Sequence, residues 1–216
     1  VVRLYRGLGT SLAGRLVNTG ITPNEITLTG FIFVLIACFF FTRGTHIGFL
    51  TGSMVLFFSI VLDFTDGTLA RMKNQASMLG DWLDAMIDEL REVVVAASLC
   101  AGLYRIKPEG YVWILGLTIL ATDRIIFRTV GKLFNVIPQG RENVMQEVKS
   151  TFSNKTIFRI TKEFLSVRLL KYTIIPVFAL FNKLEAYLFF AAVYGVALSI
   201  VFLGYSFYRI KKEGKK

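Results

Sequence analysis

Residues 61–92 read Val61-Leu62-Asp63-Phe64-Thr65-Asp66-Gly67-Thr68-Leu69-Ala70-Arg71-Met72-Lys73-Asn74-Gln75-Ala76-Ser77-Met78-Leu79-Gly80-Asp81-Trp82-Leu83-Asp84-Ala85-Met86-Ile87-Asp88-Glu89-Leu90-Arg91-Glu92. Asp63 and Asp66 stand three residues apart, and Asp84 and Asp88 four apart, so each pair shares one face of a helix; Asp81 joins the second face. Apolar runs flank the stretch on both sides, ending at Leu62 and resuming at Val93. A carboxylate near the centre of a bilayer costs roughly 2.5–3.5 kcal/mol, so four unpaired ones would cost on the order of 10 kcal/mol. They need cations. Two helices joined by a short polar corner can bring such acids together, and hard oxygen donors suit magnesium, manganese or calcium rather than zinc. Several carboxylates exceed what one ion requires, which points to a two-metal centre that orients and neutralises phosphates. Gly67, Gly80 and Ala70 leave room for a ligand, and Arg71 offers a planar fork to phosphate oxygens. The alternative is a solvated corner whose acids pair with Arg71, Lys73 and Arg91, with Gly67 as a helix end and Gly80 as a close helix contact.

Composition sets the environment of this stretch. Across 216 residues, 54% are hydrophobic, 14% are aromatic and the mean hydropathy is +0.56, which excludes disorder and argues against an ordinary water-soluble globule. The formal net charge of +10 suits anionic lipid or phosphate partners. Basic residues punctuate apolar runs instead of forming a stripe on a polar fold, so nucleic acid is not the expected partner. Two cysteines, Cys38 and Cys100, both lie in apolar segments and read as packing residues. With His46 as the only histidine, chemistry falls to carboxylates.

The sequence predicts an all-α integral membrane protein: six transmembrane helices preceded by a surface amphipathic helix. The spans run over 26–41, 47–62, 78–104, 111–127, 169–181 and 184–208, each approaching the length needed to cross the hydrocarbon core. Pro176 in the fifth is tolerable where neighbours satisfy the released carbonyl. Leu4, Leu8, Leu12 and Leu16 recur every four residues with Arg3, Arg6 and Arg15 off their stripe, the pattern of a helix lying on a membrane or packed on the protein itself. Thr22-Pro23-Asn24 then opens the first span, with proline at a helix start. The expected organisation is a juxtamembrane helix over 1–19, a catalytic transmembrane domain over 20–208 and a basic tail over 209–216. No signal peptide is recognisable, and the start at Val1 leaves room for a removed upstream segment.

Six spans put both termini on the side of the 63–77 corner and of the segment after the fourth span. Arg3, Arg6, Arg15, Arg71, Lys73, the basic residues from Arg128 to Lys171 and the tail all fall there, against Arg43, Arg105, Lys107 and Lys183 opposite. The positive-inside rule makes that side cytoplasmic, and with it the carboxylates. The partly amphipathic segment from Val144 to Phe164 is expected along the membrane surface.

The pattern Asp-x2-Asp-Gly-x2-Ala-Arg-x8-Gly-x3-Asp-x3-Asp resembles the signature of the CDP-alcohol phosphotransferases. Asp63, Asp66, Gly67, Ala70, Arg71, Gly80, Asp84 and Asp88 match its fixed positions and gaps. The six-span layout and Thr22-Pro23-Asn24 also resemble the family; beyond about residue 105 the likeness is architectural.

The resemblance implies an enzyme that joins a CDP-activated alcohol to an acceptor alcohol with release of CMP, a transferase of substituted phosphate groups serving phospholipid synthesis. Carried over by motif position, Asp63, Asp66 and Asp84 would hold metal ions, and Asp88 would contribute to the second metal and act as general base. Asp66, Gly67, Ala70 and Arg71 would contact the CDP moiety, and Gly80 would let the nucleotide approach. Arg124 in the fourth span and Arg128 one turn on are candidates for binding a phosphorylated acceptor, together with basic residues from Arg141 to Lys171; Arg124 can equally pair with Asp123 or a motif acid. The family also suggests a homodimer. Its members use glycerol phosphate, serine, inositol, inositol phosphate, choline or ethanolamine. Many continue after the last motif aspartate with Arg or Lys where this chain has Glu89. The wording Gly80-Asp81-Trp82-Leu83-Asp84-Ala85 is similar to the inositol-phosphate-using branch, which includes enzymes making soluble di-inositol phosphates. A divalent-cation transporter is the reading from a different class, and a scaffold that has lost its chemistry is a third.

Overall fold

The structure, a computed structural model, describes residues 2–136 and 167–213. The amphipathic segment over 144–164, Arg141 and residues 214–216 of the basic tail lie outside the described residues. Those described form seven helices and no strand: α1 (Val2–Leu16), α2 (Pro23–Thr42), α3 (His46–Met72), α4 (Met78–Ile106), α5 (Tyr111–Val136), α6 (Val167–Leu180) and α7 (Leu184–Glu213). Among the described residues, three helical stretches are long and apolar enough to cross a membrane: α2, α3 and Leu184–Tyr208 of α7. The other expected spans are charged along part of their length, as in α4 and α5, or short, as in α6.

Local chemistry explains where the helices start. Thr22 caps α2 in a capping box: its hydroxyl accepts from the Glu25 amide, the Glu25 carboxylate accepts from the Thr22 amide, and Pro23 occupies the first turn. Thr45 and Ser77 cap α3 and α4 by accepting from the amides of Gly48 and Gly80. Gly44 adopts φ +66° in the tight α2–α3 turn. Helix α3 continues well past Leu62, where the apolar run ends, so Asp63, Asp66 and Arg71 all ride on one unbroken helix. Asn74 then takes a left-handed conformation (φ 54°) and turns the chain toward α4.

The chain divides into two compact units. The first comprises residues 1–113 and 168–187. Within it α2 packs against α3 and α4, and α1 against α3. A Cβ at Gly9 would meet Phe64 of α3, one at Gly52 would meet the Phe41 ring, and one at Gly102 would run into the Phe41 carbonyl oxygen. These glycines allow close helix approach of the kind membrane proteins use. Ser59 donates to the Gly30 carbonyl at 2.9 Å, satisfying its buried hydroxyl. Cys38 and Cys100 are buried thiols outside any disulfide, with Cys100 Sγ donating to the Val112 carbonyl at 3.4 Å, consistent with packing. His46 Nε2 lies 3.0 Å from the Ala179 carbonyl oxygen, linking α3 to α6.

Helix α1 packs on α3 through Tyr5, Gly9 and Ala13, a face beside the leucine stripe. Tyr5 meets the rings of Phe57 and Phe64 at 5.1 and 5.8 Å. Leu12 and Leu16 pack at the edge of the core formed by Ala13, Ile26, Leu62 and Leu69, while Leu4 and Leu8 remain exposed. The helix therefore lies against the protein's own third helix.

The second unit comprises residues 114–167 and 188–216. There, Gly195 of α7 lies against Thr122 of α5, and Ser199 Oγ donates to the Thr122 carbonyl at 3.4 Å. Phe190 and Tyr194 stack along α7 at 5.8 Å.

Candidate metal centre

Three of the four paired carboxylates, from either side of the corner between α3 and α4, converge. Asp63, from α3, and Asp84 and Asp88, one turn apart on α4, each place an oxygen within 4.8 Å of the others. Asp81 stands exposed in the first turn of α4, where a negative charge complements the helix dipole, and is not part of this cluster. The donor set is entirely hard oxygen, which fits Mg2+ or Mn2+.

Asp66 uses the same helix differently. It is buried, 5% exposed, with Thr27 of α2 donating to Oδ2 at 2.6 Å and the Gly67 amide approaching Oδ1 at 2.5 Å. It lies within electrostatic reach of Asp63 and Asp84. Asp66 thus borders the cluster while its carboxylate is anchored toward α2.

One cation is built into the site. Arg91, 6% exposed, places Nη2 2.5 Å from Asp63 Oδ1 and Nη1 3.0 Å from Asp88 Oδ1. Of the three basic residues that sequence offered as partners for the acids, Arg91 fills that role. Lys73 instead donates to the carbonyls of Thr19 and Ile21, at 2.7 and 2.8 Å. Arg71 is exposed, with Nη2 donating to Thr68 Oγ1 at 3.2 Å. Because Arg91 pairs with two of three clustered carboxylates, excess negative charge remains.

The small residues divide. A Cβ at Gly67 would meet only Arg71 Nη1, at 3.6 Å, so there is space beside it. A Cβ at Gly80 would come within 3.1 Å of Asn24 Oδ1 and 3.2 Å of Ser77 Oγ, so this glycine serves close packing of α4 on the start of α2. Ala70 is half-buried on α3, and its carbonyl accepts from the Gln75 amide at 2.8 Å as the helix ends. Arg124 and Arg128 are exposed on α5 in the second unit, next to buried Asp123. The sequence did not mark Thr27 at all, and offered Arg91 only as one of three alternative partners for the acids. The i,i+3 spacing of Asp88 and Arg91 was a visible signal for the latter; nothing local marks Thr27.

Fold and site together define a helical membrane protein with an acidic centre where two of its helices meet. The chain belongs to the CDP-alcohol phosphatidyltransferase family, whose model matches residues 20–205. The archaetidylinositol phosphate synthase of Pyrococcus horikoshii is 36% identical over 87 residues, 40% of this chain and 45% of that protein. A putative cardiolipin synthase of Mycobacterium tuberculosis is 38% identical over 84 residues, 39% of this chain and 37% of that protein. The chain thus spans less than half the length of the curated relatives it matches. The structure of Mycobacterium tuberculosis phosphatidylinositol phosphate synthase with CDP-DAG bound matches with a TM-score of 0.65 at 19% identity, covering 92% of each chain. The same enzyme in complex with manganese and citrate gives 0.63 at 19% identity, covering 92% of this chain and 88% of that one. This likeness shows the fold.

Proposed function

We propose that the protein transfers a substituted phosphate group from a CDP-alcohol to an acceptor alcohol, releasing CMP, in phospholipid synthesis. The observation that carries this reading is the convergence of Asp63, Asp84 and Asp88 from two helices, with the family's motif spacing, beside the space at Gly67. Asp63, Asp66, Asp84 and Asp88 would hold two divalent ions, Mg2+ or Mn2+. Bound there, the ions would neutralise the diphosphate and stabilise the departing CMP. Arg71, exposed at the end of α3, offers its fork to the donor's phosphate oxygens, and the face of Gly67 and Ala70 leaves room for the nucleotide. Asp88 takes the proton from the acceptor hydroxyl as its oxygen bonds to phosphorus and the bond from phosphorus to the CMP oxygen breaks. No covalent enzyme intermediate is needed.

The topology that goes with this reading is six spans within a catalytic domain over 20–208, a juxtamembrane helix over 1–19 and a basic tail over 209–216. Both termini and the carboxylate centre lie on the cytoplasmic side, and the protein works as a homodimer. Arg124 and Arg128 are candidates for a phosphorylated acceptor. A more specific reading, that the acceptor is an inositol phosphate, is favoured by the relatives that are archaetidylinositol phosphate and phosphatidylinositol phosphate synthases. The competing reading from another class is divalent-cation transport. Incubating the purified protein in detergent with Mg2+, CDP-diacylglycerol and a panel of acceptors separates them. Acceptor-dependent CMP release is expected, fastest with inositol phosphate; no release with any acceptor, alongside cation flux in proteoliposomes, would favour transport.

A further inference from the structure

We propose that Arg91 is a positioning residue for the carboxylate centre: its guanidinium holds Asp63 of α3 and Asp88 of α4 in the orientation that receives a divalent cation. The inference rests on the metal-binding reading above and extends it to a residue outside the eight-position motif. Arg91 is buried at 6% exposure and reaches one oxygen of each carboxylate, Asp63 Oδ1 at 2.5 Å and Asp88 Oδ1 at 3.0 Å. The guanidinium stays charged at any accessible pH and its donors form a rigid fork. One planar group with both its ends engaged therefore fixes two carboxylates on different helices relative to each other. Asp84 completes the cluster one turn from Asp88. Outer groups that orient metal-binding side chains in this way commonly govern affinity by about 10- to 100-fold.

A mere counter-charge would act with the opposite sign. A fixed cation beside the acids repels an incoming divalent ion, so removing a purely electrostatic Arg91 would tighten metal binding. Orientation predicts weakening instead, and the sign of the change separates the two roles.

The experiment is a Mn2+ titration of the EDTA-stripped full chain in detergent, followed by calorimetry and by electron paramagnetic resonance of unbound Mn2+. Wild type is compared with Arg91→Lys, which keeps the charge and loses the fork, and with Arg91→Gln, which loses both. Melting temperatures in EDTA identify the folded variants, and Arg91→Gln decides the matter where Arg91→Lys does not fold. The expected result is Mn2+ affinity lower by about 10-fold or more in each folded variant. Unchanged or tighter binding in a folded variant overturns the role of Arg91 while leaving the metal centre standing. A wild-type protein that takes up no Mn2+ removes the metal reading and this inference together.

Discussion

Asp88, Gly67 and Thr27 test different links between site and chemistry. Asp88→Asn keeps the side chain's size and its ability to accept from Arg91 but removes the proton acceptor. Turnover is expected to fall at least about 10²- to 10⁴-fold, with CDP-alcohol binding largely retained in a filter or calorimetric assay; unchanged turnover would refute the base assignment. At Gly67 a methyl group meets nothing closer than 3.6 Å, and alanine favours the helix by roughly 0.5–1 kcal/mol. Gly67→Ala should therefore leave the melting temperature unchanged or raised while increasing KM for the CDP-alcohol, and an unaltered KM would mean the nucleotide does not pass this face. Thr27 donates to buried Asp66 at 2.6 Å, and leaving that buried acceptor without its donor costs about 1–3 kcal/mol. Thr27→Val should lower the melting temperature accordingly, and a melt that matches wild type would show that Asp66 finds another donor.

Between elements, the decisive contact is α4 on α2. A side chain at Gly102 would collide with the Phe41 carbonyl oxygen, whereas Gly110, in the following corner, has nothing within 4 Å. Gly102→Ala should cost about 1–3 kcal/mol through overpacking, and Gly110→Ala should melt like wild type; equal melting of the two would place the α2–α4 contact elsewhere. Much of this level was legible in the chain. Thr22 and Pro23 announce the start of α2, and the spacing of Asp84 with Asp88 gives the face that α4 turns to the site, whereas Asp63 and Asp66 part, one to the cluster and the other to Thr27. What escaped depends on register between helices. Thr27 meets Asp66 only because α2 crosses α3 at that height, and Arg91 reaches Asp63 only because α4 returns beside α3. The end of α3 escaped for a different reason: hydropathy falls at Asp63, but Thr65 and Leu69 remain buried, so packing carries the helix to Met72.

For the whole molecule, the proposed topology is open to chemical labelling. Ala76, in the corner after α3, and Glu109, in the corner after α4, are both exposed, while the native thiols Cys38 and Cys100 are buried. Single Ala76→Cys and Glu109→Cys variants in sealed inside-out vesicles should differ: an impermeant maleimide is expected to label position 76 and spare position 109. Labelling of both from one side would contradict the proposed crossing of α4.

The grip of Lys73 on the carbonyls of Thr19 and Ile21 has a mechanical consequence. It ties the linker leaving α1 to the bend that follows α3 and leads into α4. The chain entering α2 and the chain entering α4 are therefore clasped together, so that neither connection can swing outward without breaking the hold of one ammonium group on two carbonyls.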